Sequence, residues 1–293
     1  MKLQTFLQDH YRPRTAHQYY LDIMRYCSQT SNHRQAGYSQ ILAHLGNLRG
    51  QGLKGGTVTR VLAAVKAYYD WLQHTRQRAD HPCKYVRLRY SKDQGVNPAG
   101  LFSPAELERL MEDVLPQTGQ GKAVYKRLYY RNKLTISLLI YQGLATQNII
   151  NLEIKDINLE SATIYIRATH QLNARTLGLH PRQVMLVSHY LTSERPGLLK
   201  QPTDKLLLTK RGLAESGCGI RKVIEAKKHL FKDKILSAQT IRQSVLVNLF
   251  KTGKDTRLVQ VFAGHKQASS TERYKQTHIE ELKAAVMKKH PLG

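Results

Sequence analysis

Three side chains near the end of the chain have types and spacing that suit chemistry: Arg242, His265 and Tyr274. They stand in QTIRQSVLVNLFKTGKDTRLVQVFAGHKQASSTERY, residues 239 to 274, with 23 positions from arginine to histidine and nine from histidine to tyrosine. A guanidinium fork matches two oxygens of an anion. An imidazole carries a proton near neutral pH, and an activated phenol is a nucleophile. Such a set has the parts to hold an anion, move a proton and attack.

Short helices must bring the three together. Ile241, Val245, Leu246 and Leu249 recur on one face at helical spacing. Gly253 supplies the position just past a helix end. Leu258, Val259, Val261 and Phe262 then begin a second apolar face, and Ser269 or Ser270, followed by Thr271 and Glu272, is expected to cap a third helix that carries Tyr274.

This stretch resembles the C-terminal boxes of the tyrosine recombinases, the phage-integrase and Xer-like family. The family pattern is H-x-L-R, a glycine eleven residues on, L-G-H and a tyrosine; here it reads Q-T-I-R, Gly253, A-G-H and Tyr274. The resemblance implies that Arg242 clamps a DNA phosphate, that His265 donates to it or shuttles a proton, and that Tyr274 attacks it. A 3′-phosphotyrosyl link and a free 5′ hydroxyl would result. Chemistry of that kind calls for no cofactor and no metal. Three positions depart from the pattern. Gln239 replaces the box histidine. Gly143 to Leu152 matches the family frame G-L-R-x-x-E-L-x-x-L, but with Ala145 for the first catalytic arginine and Asn148 for the acidic residue. The hairpin expected from Thr163–Arg167 and Arg175–Leu179 has a loop, Ala168 to Asn173, that lacks the family's lysine. His170 and Gln239 are the expected surrogates, with Arg167 and Arg175 also at hand. Two functions follow from the resemblance: a site-specific recombinase or integrase, or a catalytically inactive architectural or regulatory DNA binder of the same descent.

Composition points the same way. Lys and Arg number 46 against 21 Asp and Glu, a net charge of +25 that fits a polyanionic partner. No apolar run reaches the roughly 18 residues of a membrane span, and MKLQTFLQDHYRPRT has no apolar signal region. Cys27, Cys83 and Cys218 are scattered and without C-x-x-C, so reduced thiols are expected, with neither a disulfide framework nor a zinc site. A cytoplasmic, nucleoid-associated location is the expectation. A basic RNA-binding protein is the other class that the charge permits, but the aromatic residues follow helix periodicity and do not suggest stacking platforms.

The expected fold is mainly α with a small antiparallel hairpin sheet, arranged as a two-domain clamp on duplex DNA. Residues 1–90 are expected to form a helical, SAM-like core-binding domain, with helices over 14–29, 38–49 and 57–74. Its tyrosines read as core, and Arg14, Arg60, Lys66, Arg87, Arg89 and Lys92 are the candidate DNA contacts. Residues 91–99 read as a linker and 100–293 as an α+β domain of the catalytic type. That domain opens on the capping box Ser103-Pro104-Ala105-Glu106, continued by Leu107, Leu110, Met111 and Val114. A loop over 116–127, helices over 133–144 and 181–191 and a short strand over 205–208 are expected next. A last amphipathic helix with Ile279, Leu282 and Val286 is expected; the resemblance implies that it joins protomers, as a dimer on one site and a tetramer in synapsis, and packing on its own domain is the other reading.

Overall fold

The computed structural model describes residues 1–88, 97–113, 123–275 and 279. The chain divides into two compact units, Met1–Asp93 and Gln94–Gly293. Of the expected linker, only residues 97–99 are described, and they enter a short helical turn at Pro98–Gly100. Arg89, Lys92, Val114, Leu282 and Val286 lie outside the described residues.

Among the described residues, the first unit is four helices: α1 (Leu3–His10), α2 (Pro13–Gln29), α3 (Tyr38–Gly50) and α4 (Gly55–His74). Pro13 opens α2, where its missing N–H costs nothing. The long α4 buries Val58, Val61, Leu62, Val65, Tyr68, Tyr69 and Leu72 on one stripe, against Ile23, Tyr26 and Ile41. The tyrosines are core. The hydroxyls of Tyr26 and Tyr69 lie 2.7 Å apart, and Tyr69 Oη also donates to the His33 carbonyl at 2.7 Å, so their polar ends are satisfied.

The second unit is built around α6 (Ala123–Tyr141), with Leu134, Ile136, Leu138 and Leu139 fully buried. Packed with it are α5 (Pro104–Glu112), α7 (Thr146–Asn151), α8 (Pro181–His189), α9 (Gly217–Glu225) and α10 (Ala238–Lys251). The box at Ser103 caps α5 as expected, with Oγ accepting from the Glu106 N–H at 3.2 Å and Glu106 accepting from the Ser103 N–H at 2.7 Å. One antiparallel sheet holds β1 (Ile157–Asn158), β2 (Thr163–Ile166) and β3 (Arg175–Gly178), in that order. Ile164 faces Leu177 across the hairpin, and Ile166 faces Arg175. A smaller apolar cluster of Leu246, Val247, Phe250, Val259, Ala263 and Tyr274 joins α10 to α11 (Thr256–Ala263) and the helical residues 269–275.

The fold class is the expected one, but several local expectations change. The loop at 116–127 lies partly outside the described residues, and its last residues, 123–127, open α6. Lys205 to Leu208 is not a strand; it makes only single bridges, Lys205 with Glu153 and Leu208 with Ala214. Leu258 and Val261 are 57% and 61% exposed, because α11 packs through Val259, Phe262 and Ala263 instead. Neither serine caps the last helix. Ala268 precedes it and its carbonyl accepts from the Thr271 and Glu272 N–H groups, which leaves Ser269 and Ser270 inside the first turn.

Candidate active site

Ser237 starts α10 by accepting the Thr240 N–H at 3.1 Å, which turns Arg242 inward. The buried guanidinium reaches the segments where α6 and α11 end: Nη1 donates to the Gly143 carbonyl at 2.5 Å, and Nη2 donates to the Ala263 carbonyl at 2.7 Å. Nη2 also lies 3.2 Å from His265 Nε2. Burial lowers the Arg242 pKa, while the nearby Tyr274 phenol acts to raise it. It stays charged at neutral pH.

Arginine only donates, so His265 Nε2 must offer its lone pair. Burial, and then the positive charges of Arg242, Arg175 and Arg273, push the imidazole down to about 4, so it is neutral at pH 7. Its proton therefore sits on Nδ1, which donates to Thr271 Oγ1 at 2.9 Å. Thr271 is fully buried, three residues before Tyr274 on the same helical segment. The Tyr274 ring lies nearly parallel to the imidazole, 5.9 Å centre to centre at 13°. The Arg273 guanidinium lies 5.6 Å from the centre of the phenol ring. The structure thus brings guanidinium and imidazole into contact and stacks the phenol ring beside the imidazole.

The hairpin tip is tied to this group. Asn173 N–H donates to the Gly264 carbonyl at 2.7 Å, and Leu172 pairs with His265. Gly264 ends α11 with φ 72°, and a Cβ there would collide with the Arg175 guanidinium. Arg175 is 6% exposed, and its Nε and Nη2 have no hydrogen-bond partner. Burial and then Arg242 bring it down to about 10, so it too is charged at neutral pH.

The other proposed helpers lie elsewhere. His170 is exposed at the hairpin tip and Gln239 is exposed in the first turn of α10. Among the described residues, neither is hydrogen-bonded to Arg242 or His265. Arg167 is held by Glu153 at 2.6 Å and Asp156 at 2.8 Å. Ala145 precedes α7, two residues after the Gly143 carbonyl that Arg242 holds, and Asn148 is buried with Oδ1 unpartnered. Strand alternation carries the signal for Arg175: it shares the inward face of β3 with Leu177, where an apolar residue would be ordinary.

In the first unit Arg14 and Arg87 are exposed. Arg60 is paired with Asp22, and Lys66 donates to the carbonyls of Lys84 at 2.9 Å and Val86 at 2.8 Å. Both of these cations therefore also have partners inside the unit.

Fold and site define a helix-rich protein of two units whose second gathers a buried guanidinium, an imidazole and a phenol. Residues 102–281 match the phage integrase family, and the chain belongs to that family, the tyrosine recombinases. It is 30% identical over 257 residues to tyrosine recombinase XerC of Pelotomaculum thermopropionicum, covering 85% of this chain and 79% of that protein. The fold is similar to the XerH site-specific recombinase bound to a palindromic difH substrate, with TM-score 0.69, 21% identity and coverage of 92% and 78%. It is also similar to the Tn1549 transposon integrase in complex with transposon right end DNA, with TM-score 0.64, 15% identity and coverage of 97% and 99%.

Proposed function

We propose that this chain binds duplex DNA and exchanges strands through a covalent link to Tyr274. The observation that carries this is the convergence of Arg242, His265 and Tyr274, with the guanidinium 3.2 Å from the imidazole and the phenol ring stacked beside it. In the reaction, Tyr274 Oη loses its proton and bonds to phosphorus. The bond from phosphorus to the 5′ oxygen breaks, and that oxygen leaves protonated as a 5′ hydroxyl. Arg242 balances charge that builds on the non-bridging oxygens. His265, neutral at rest, supplies a polarisable partner beside both. Resealing reverses the same steps with a new 5′ hydroxyl, so no oxidant or energy source enters.

Arg14 and Arg87 are the described cations of the first unit that we assign to DNA phosphates. We assign joining of protomers to the C-terminal segment that contains the exposed Ile279.

The competing reading is a binder that does not cut, favoured by Ala145 and by the hairpin without a lysine. A target selected from randomised duplexes, then nicked so that cleavage traps the protein, separates the two. An adduct with wild type that is lost in Tyr274→Phe supports strand exchange. No adduct with wild type, or one that survives Tyr274→Phe, overturns it.

A further inference from the structure

Among the described residues, Arg175 is a buried cation with nothing to balance it. Two other well-buried arginines of the same unit show the usual solution. Arg131 pairs with Glu215, and Arg195 donates to the carbonyls of Thr203, Lys205 and Leu206. Arg175 makes only a contact at the limit of hydrogen bonding, Nη1 to the Asn173 carbonyl at 3.5 Å, and its Nε and Nη2 have no partner. Uncompensated burial of this kind is costly and marks a function when it persists.

The surroundings hold the side chain in place. Its strand position points it inward, opposite Ile166. The guanidinium lies against the backbone of Gly264, which has no Cβ to obstruct it, and the Asn173 to Gly264 bond fixes hairpin and turn together. The groups that act on it are Arg242 and the neutral His265, with no carboxylate paired to Arg175 or Arg242 among the described residues. Two cations gathered without an anion are the electrostatic outline of one.

We propose that Arg175 is the second phosphate-holding cation of this site, taking over from β3 the charge that Ala145 cannot supply. Its free Nε and Nη2 form a fork for the non-bridging oxygens of the scissile phosphate beside Arg242. The assignment rests on the reading of the site as one that handles a DNA phosphate. It makes the absence of an arginine at Ala145 a relocation of charge from a helix start to a strand.

The test uses the whole chain and two probes. First, inorganic phosphate is titrated while the imidazole 15N signals of His265 are followed in wild type, Arg175→Met and Arg175→Lys. Wild type should saturate, Arg175→Met should need at least about tenfold more phosphate, and Arg175→Lys should fall between; equal affinity of Arg175→Met and wild type overturns the proposal. Second, adduct formation is compared on a nicked duplex with an ordinary scissile phosphate and on one with a neutral methylphosphonate there. Arg175→Met should be slowed by about 10²–10³ on the phosphate, and should recover on the methylphosphonate, which has less charge to balance. Equal slowing on both substrates marks a structural role and overturns the proposal. Should wild type form no adduct on either, strand cleavage fails as a reading, and the phosphate titration still decides the role of Arg175.

Discussion

At the scale of single residues, the site trades stability for charge. The unfolded chain binds a proton on His265 below its ordinary value of 6.5, whereas the folded chain does so only near 4. Between those values the unfolded state holds more protons, so stability is complete above pH 6.5 and falls as the pH drops toward 4. The loss amounts to about 3 kcal/mol. Urea titrations from pH 7.5 to 4 should show this slope in wild type, and His265→Gln should remove that part of it. Arg175 makes the complementary case. Because its charge is buried and unpaired, Arg175→Met should raise the stability of the DNA-free protein by about 1–3 kcal/mol, measured by thermal or urea unfolding. A lower stability would mean that its packing outweighs its charge.

At the scale of elements, the turn from α11 to the last helix holds the geometry. Gly264→Ala would place a methyl group against Arg175 in a backbone conformation with φ 72°. It should cost about 2 kcal/mol or more and weaken adduct formation as well, read by unfolding and by the suicide substrate together. Thr271→Val would leave the His265 Nδ1–H without its acceptor. A loss of about 1–3 kcal/mol is expected from a buried, unpaired donor. The helices α2, α3 and α4, the capped start of α5 and the hairpin were legible in the sequence because each carries a local signal: periodicity, a cap or alternation. Other elements carried none. β1 is two residues long, and the 205–208 segment is apolar because it is buried, not because it pairs as a strand. Leu258 and Val261 look like core by type, yet only tertiary packing decides which side of α11 turns inward. The Arg242, His265 and Tyr274 frame was readable through its resemblance to the family's boxes. The place of Arg175 was readable only in part, since alternation puts it inward but cannot say that Gly264 leaves it room.

At the scale of the whole molecule, the net charge of +25 sets how the protein meets its partner. Duplex affinity should fall steeply with salt, with a log–log slope near −0.9 for each phosphate neutralised. Arg14→Ala and Arg87→Ala should each reduce that slope by about one, measured by fluorescence anisotropy at several salt concentrations. Arg60→Ala should act mainly on folding, because its charge is spent on Asp22. The clasp of the imidazole between Arg242 and Thr271 has a consequence for timing. Burial first, and then the positive charges of Arg242, Arg175 and Arg273, keep the imidazole neutral at physiological pH. On the proposed reading, an anion bound beside Arg242 and Arg175 would offset the part of that shift that is charge repulsion and raise the ring's basicity, so the substrate would itself bring the proton-transfer group closer to action.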